Sequence, residues 1–514
     1  MHLVIICKQE MELTILLCFA AYTLLLFLVM WLTNRRGTKG NEAFFRAGRK
    51  SPWPVVAYGM IGASLSGVTF MSVPGDVLAN KWFYFPMVLG YVLGYATIAL
   101  VLLPLYYRLN LTSIYSYLEQ RFGLRSERTG ALFFIISRLL GSALRMYLVV
   151  YVLYEFVFSA WGIPFWVPAV VFIAIILLYT FAGGIKTVVW TDTLQTTFLI
   201  LAAVATVVVV LKNLDMSLPD LLGISADQGY TDMFNTDPMA KKFWVKQLFA
   251  GMFITITMTG LDQDMMQKNL TCKTLRDAQK NVMTSSLLFI VVNIIFLCLG
   301  AALIAYAAQA GIELPTAVNQ AGETYVVGDK IFPFIAVHEL GGFIAVVFVL
   351  GLVAAGYSSA DGTLTALTTT FCYDFLKFGQ NNQSNQNNQI TQKKELRIRR
   401  VVHVGFALVY LLVIIAFRPF HNESLINTIF DVAGFTYGPL LGLYTFGLFT
   451  KRTVDDRWVP FIAILSPVIC YILKLNSKEW FGYEFGFEIL LLNGLITFLL
   501  LLLARPKNSI THNR

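Results

Sequence analysis

Apolar runs of about twenty residues alternate with short polar stretches along the chain, at roughly 12–32, 52–78, 82–107, 130–159, 164–181, 187–211, 242–265, 281–306, 340–374, 401–417, 424–449, 457–474 and 484–504. At 1.5 Å rise per residue such a run crosses a hydrocarbon layer about 30 Å thick. The pattern predicts an all-α polytopic membrane protein with about 13 transmembrane helices. Two runs are not plainly apolar. Run 52–78 contains GMIGASLSGVTFMSVPG, with Gly59, Gly62, Gly67, Pro74 and Gly75 beside Ser64, Ser66, Thr69 and Ser72, and run 242–265 carries Gly251, Thr255, Thr257, Thr259 and Gly260. Helix breakers and hydroxyls at mid-membrane predict helices that unwind there and free carbonyl oxygens. The alternative is small-residue packing between helices.

The basic residues set the orientation. Of the 39 Lys and Arg residues, 27 fall on one set of alternate connecting segments, Lys268 among them, and 10 on the other. The positive-inside rule then predicts an outside N-terminus, a cytoplasmic C-terminus and an odd number of spans. Residues 52–211 hold five spans beginning inside with an interrupted helix, and 242–449 hold five beginning outside with another. Two five-helix units of opposite topology predict an inverted repeat with its binding site between the interrupted helices. The divisions are an extra helix and cytoplasmic loop at 1–51, repeat 1 at 52–211, an extracellular loop at 212–241, repeat 2 at 242–449, and C-terminal helices at 450–514. The loop 307–339 is expected to fold back over the entrance, and the Asn/Gln-rich 377–400 to be a flexible cytoplasmic linker.

Composition agrees. With 57% hydrophobic and 13% charged residues the chain is unlike a soluble protein. Its net charge of +9 comes from the cytoplasmic loops, so nucleic acid is not expected as a partner. Six cysteines without a CxxC pair read as free thiols. The first apolar run lacks a basic leader and reads as a retained span. No GxxxxGK[ST] loop is present, which argues against ATP as the energy source. No soluble domain of useful size is predicted, so the work is expected within the bilayer. No enzyme chemistry and no obligate protein partner are inferred.

Charged and hydroxyl groups inside spans carry the candidate chemistry. In GLVAAGYSSADGTL, Ser358 and Ser359 fall near the middle of run 340–374, with Asp361 beside them. Hard oxygen ligands of this kind suit a small cation, whereas the bland reading has the hydroxyls bonding to their own helix. In AGGIKTVVWTDTLQ, Asp192 lies about one and a half turns into its span, and the alternative role is a salt bridge to Lys186 or another basic residue of the inner surface. Arg138 and Arg145, seven apart, share nearly one helix face. Arg145 lies too deep to reach the interface, roughly 22 Å from the inside end, and Glu155 is out of its reach along the axis. A carboxylate-bearing solute is the sharp reading of Arg145; a buried structural partner is the other. Arg138 reads as structural.

The stretches GGIKTVVWTDTLQ, AAGYSSADGTL, GASLSGVTF and LDQDMMQKNLTCKTLRDAQK together resemble the sodium:solute symporter family over about 45–450. The resemblance implies a LeuT-type core of two inverted five-helix repeats. It implies a sodium site formed by backbone carbonyls of Gly62, Leu65 and Ala355 with the hydroxyls of Ser358 and Ser359. Asp192 would lie on the sodium release path, and with Asp361 would be the candidate for a second sodium. Many members carry Asp-Ser after the double serine, where this chain has Asp361 followed by Gly362. The solute would lie among Ser64, Val68 and Thr69 of the first interrupted helix and Thr255, Met258 and Thr259 of the second. Sugar-binding members carry an acidic residue at Val68, a Gln at Thr69 and a gating Tyr at Met258, so a galactose-like solute is disfavoured.

The expected function is import of a small organic solute by alternating access, driven by sodium as coupling ion, in the cell membrane. Two other readings stay open, a proton-coupled transporter of the same core and a solute sensor without net transport.

Overall fold

The computed structural model describes residues 2–35, 40–240, 242–318, 322, 324–378, 388–418, 425–483 and 485–504. Helix α1 (His2–Arg35) is followed by the short α2 (Gly40–Arg46), whose Phe44 and Phe45 are buried. The first interrupted run forms α3 (Trp53–Ser64) and α4 (Gly67–Asn80), bent by 62° at a two-residue break. Pro54 in the first turn of α3 sits where no backbone donor is needed.

The next span, Phe85–Arg108, comprises α5 (Phe85–Thr97), a π turn at Ile98–Leu102, and α6 (Leu103–Arg108). Pro104 supplies no backbone donor, and the helix widens just before it. After α7 (Ser116–Arg121) the long α8 (Leu124–Leu153) begins at Gly123, φ +141°. Asp456 caps it from far along the chain, accepting the backbone N–H of Arg125 and of Ser126, each at 2.8 Å. A carboxylate suits the free donors and positive dipole end of a helix start.

Helices α9 (Trp166–Gly183) and α10 (Ile185–Asn213) meet at Gly184, φ +50°. A Cβ there would lie 2.5 Å from the Phe44 ring, so the tight turn and the close approach both need glycine. Beyond α11 (Leu218–Asp227) the second interrupted run gives α12 (Trp244–Thr255), a π turn at Ile256–Gly260, a break at Leu261 and Asp262, and α13 (Gln263–Asn269).

Helix α14 (Leu275–Ala310) leads to an antiparallel pair, β1 (Thr316–Val318) and β2 (Thr324–Val326), with Ala317 opposite Tyr325, and then to α15 (Gly328–Phe334). This loop does fold back: α15 packs on α4, where a Cβ on Gly75 would lie 2.1 Å from the Gly328 carbonyl oxygen. The remaining helices are α16 (Gly342–Thr370), continued by a π turn to Phe375, α17 (Asn388–Ala416), α18 (Leu425–Phe449), α19 (Val459–Phe481) and α20 (Ile489–Leu503). The second half of the supposed flexible linker 377–400 is therefore the start of α17, and its residues 379–387 lie outside the described residues.

Among the described residues, ten helices are long and apolar enough to cross a membrane, or eleven with the bent α3–α4 pair counted as one span. All thirteen predicted runs are helical, but two fall short of that length. Run 242–265 is divided at its break, and run 484–504 gives the 15-residue α20. Leu24, Leu100, Leu412 and Leu475 point outward from their helices, as a lipid-facing surface would have it. Inside, α10 lies between α3 and α16, α16 also packs on α8, α8 on α18, and α5 on α12. This places α8, α10 and α16 around the α3–α4 break.

Candidate functional site

The break in α3–α4 follows from its sequence. Leu65 (ψ 108°) and Ser66 (ψ 169°) are extended, and the Ser66 hydroxyl accepts the backbone N–H of Thr69 at 3.4 Å, capping α4. The last carbonyls of α3 lose their helical partners. Among the described residues no donor reaches the carbonyls of Gly62 or Leu65. The second break differs, because tyrosine hydroxyls donate to its freed carbonyls: Tyr106 to Gly260 at 2.9 Å and Tyr115 to Leu261 at 2.9 Å. Free oxygen and the negative dipole end of α3 thus meet at Leu65, which is fully buried.

Neighbouring helices bring side-chain oxygen to this point. The Thr196 hydroxyl of α10 accepts the Gly62 N–H at 3.0 Å and donates to the Asp192 carbonyl at 2.7 Å. One turn below Gly62, a Cβ on Gly59 would lie 3.0 Å from the Asp192 Cβ. Ser358 of α16 donates to Asp192 Oδ1 at 2.7 Å. Gly62, Leu65, Ala355, Ser358 and Ser359 are all buried, and α3 and α16, which carry or flank them, pack together. Hard oxygen donors at a helix C-terminus are what a small cation requires.

Below lies a cluster of buried charges. Asp192 Oδ2 is 2.9 Å from the ammonium of Lys268, which is also 3.4 Å from Asp264. Arg138 pairs with Asp264, lies 3.5 Å from Asp262, and donates from Nε to Thr363 at 3.1 Å. Asp361 accepts the Tyr179 hydroxyl at 2.8 Å, Thr191 and Gln195 at 3.4 Å each, and its neighbour Gly362 N–H at 2.6 Å. The partner of Asp192 is thus Lys268. That lysine, counted above with the inside-loop charges, is instead 1% exposed within α13. The charge count misplaced it because a basic residue closely following a break reads like a loop charge. Two further charges within six residues, Asp262 and Asp264, were the available signal.

The expected solute residues divide. Arg145 and Met258 line one narrow, water-sized cavity with Ser137, Arg138, Gly141, Ser142, Val432, Ala433 and Tyr437. Among the described residues Arg145 has no ion pair and no hydrogen bond, whereas Glu155 lies 3.3 Å from Lys330. The Ser64 hydroxyl lies 3.4 Å from the Tyr95 hydroxyl, so α5 reaches the first interrupted helix through Tyr95. Thr69 is half-buried beside the break, while Val68 and Thr255 are closely packed. Sequence reasoning missed Tyr95, Thr196 and Ser142. The Ser142 hydroxyl, on the cavity wall, donates to the Ser359 carbonyl at 2.9 Å and is 2.8 Å from the Tyr410 hydroxyl. Nothing in the local sequence of these three sets them apart from packing residues.

Comparison with known proteins gives this arrangement a context. The Sodium:solute symporter family model matches residues 44–456. The sodium/sialic acid symporter NanT of Aliivibrio fischeri is 26% identical over 87% of this chain and 85% of its own length. The sodium/sialic acid symporter SiaT of Proteus mirabilis is 25% identical over 91% and 90%. Among solved structures, a substrate-bound, outward-open Na+-coupled sialic acid symporter superposes with a TM-score of 0.78 at 22% identity, covering 96% of this chain and 97% of that one. The nucleobase-cation-symport-1 family transporter Mhp1 superposes with a TM-score of 0.57 at 16% identity, covering 90% and 93%. These likenesses bear out the LeuT-type fold read from the sequence.

Proposed function

We propose, from the premise that this chain belongs to the sodium:solute symporter family, that it imports a small carboxylate-bearing organic solute together with sodium by alternating access. The observation that carries the solute class is Arg145, a guanidinium without an ion partner among the described residues, on the wall of a cavity between α8, α18 and the second interrupted helix. A carboxylate is the natural complement of a planar guanidinium, since two parallel N–H···O bonds fit its fork. Sialic acid, named for two of the similar symporters, is such a solute.

Sodium would be held by the carbonyls of Gly62, Leu65 and Ala355 and the hydroxyls of Ser358 and Ser359. The support is the pair of carbonyls without donors at the α3 break, with α16 packed against α3. The solute would be lined by Ser64, Thr69 and Val68 on one side, by Thr255, Met258 and Thr259 on the other, and anchored by Arg145. Asp192 would lie beside the path that sodium takes to the cytoplasm. Residues 52–211 and 242–449 would be the two inverted repeats, placed in the cell membrane with the N-terminus outside.

The coupling is thermodynamic. An ion that completes the α3–α16 junction stabilises the conformation in which the cavity residues are ordered, so each ligand raises the affinity of the other. The test is binding of N-acetylneuraminate to the purified protein in NaCl and in choline chloride. Tighter binding in sodium supports the proposal; equal binding in both, or tight binding of neutral sugars alone, overturns it.

A further inference from the structure

The charges below the α3 break carry one more inference, which rests on the sodium reading above. Both oxygens of Asp192 have a close partner: Oδ1 accepts the Ser358 hydroxyl at 2.7 Å, and Oδ2 lies 2.9 Å from the Lys268 ammonium as an ion pair. Lys268 is steadied by Asp264, and Asp264 by Arg138. This chain of contacts needs Gly362: a Cβ there would lie 2.3 Å from Asp264 Oδ1 and 2.8 Å from Oδ2. Any larger residue would push Asp264 aside and loosen Lys268. The nearby Asp361 is also engaged, its Oδ2 by the Tyr179 hydroxyl at 2.8 Å with Thr191 and Gln195 at 3.4 Å, and its Oδ1 by the Gly362 N–H at 2.6 Å.

We propose that Lys268 is a built-in cation: its ammonium takes the place at Asp192 that a second sodium would need, so that transport runs on one sodium per cycle. A sodium ion approaching Asp192 would meet a fixed like charge at contact distance, in a region where water screens little. Four carboxylates, Asp192, Asp262, Asp264 and Asp361, face two cations, Arg138 and Lys268, in this cluster, and all six are at most 3% exposed. The ammonium is therefore retained by the excess of negative charge around it.

The test counts radiolabelled sodium bound at saturation to the purified full chain, with choline holding ionic strength constant. Wild type is expected to bind one sodium per chain and Lys268→Arg the same. Lys268→Gln, which is shorter by one bond and removes the charge, should bind two. The double variant Lys268→Gln/Asp264→Asn removes one cation and one anion together; it should fold where the single variant does not, and also bind two. Two sodium ions on wild type, or one on the charge-removed variants, overturns the role of Lys268. No sodium on wild type instead sinks the sodium site itself, so the two failures are distinguishable. The wild-type count is informative even before any variant is made.

Discussion

Arg138 and Arg145 lie two turns apart on α8, and their removal should have opposite consequences. Arg138 is 3% exposed and holds Asp262 and Asp264. Replacing it by Ala leaves two buried carboxylates short of a partner, at a cost of about 3–5 kcal/mol for a broken buried pair. Arg145 has no ion partner among the described residues, so its loss orphans none of them. Seven residues at 1.5 Å separate the two arginines by ~10 Å. At an effective dielectric constant of 20 their repulsion is on the order of 1–2 kcal/mol, so Arg145→Ala should leave stability unchanged or slightly raised. A solute carboxylate held by Arg145 contributes about 1.5–3 kcal/mol as a charge-assisted hydrogen bond, or roughly 10- to 150-fold in Kd. Arg145→Lys, which keeps the charge and loses the fork, should weaken binding within that range, and Arg145→Ala should abolish uptake of an acidic solute. The assay is melting temperature in detergent beside calorimetric titration with N-acetylneuraminate in NaCl. If Arg145→Ala is as unstable as Arg138→Ala, or binds the solute as wild type does, the carboxylate-anchoring argument is wrong.

Three further outcomes follow from the site. Ser358→Ala and Ser359→Ala each remove a hydroxyl from the α16 side of the junction and should raise the sodium concentration for half-maximal uptake; an unchanged sodium dependence in both would place the ion elsewhere. Asp192→Asn should slow or uncouple transport while solute binding in NaCl persists, and loss of solute binding in folded protein would put Asp192 in the solute pocket instead. Tyr95→Phe removes the hydroxyl partner of Ser64 and should weaken solute binding by roughly 0.5–1.5 kcal/mol with the sodium count intact, as dialysis with labelled sodium would verify.

Much of this was legible in sequence because the membrane restricts what a helix may carry. Gly62, Ser64, Ser66 and Gly67 within six residues weaken a helix, and in hydrocarbon an unwound segment is tolerated only where protein or a cavity surrounds it. An Arg or Asp at mid-span announces itself for the same reason, which is why Arg145, Asp192 and Asp361 were identifiable before any contact was known. Partners were not legible. That Asp192 meets Lys268, and that Gly362 makes room for Asp264, depends on how α10, α13 and α16 pack, across 76 or more residues of sequence. Hydroxyls such as Thr196 and Ser142 are invisible for a different reason: Ser and Thr are common in membrane helices, where they usually bond back to their own turn. Only the packing shows that these two also reach Gly62 and Ser359.

The central claim is sodium coupling, and flux in proteoliposomes addresses it most directly. Vesicles containing the purified chain receive radiolabelled N-acetylneuraminate under an inward sodium gradient at equal pH on both sides, and in parallel under an inward proton gradient without sodium. The account predicts transient accumulation above equilibrium in the first case, abolished by dissipating the sodium gradient, and none in the second. Accumulation that follows the proton gradient and ignores sodium would contradict it.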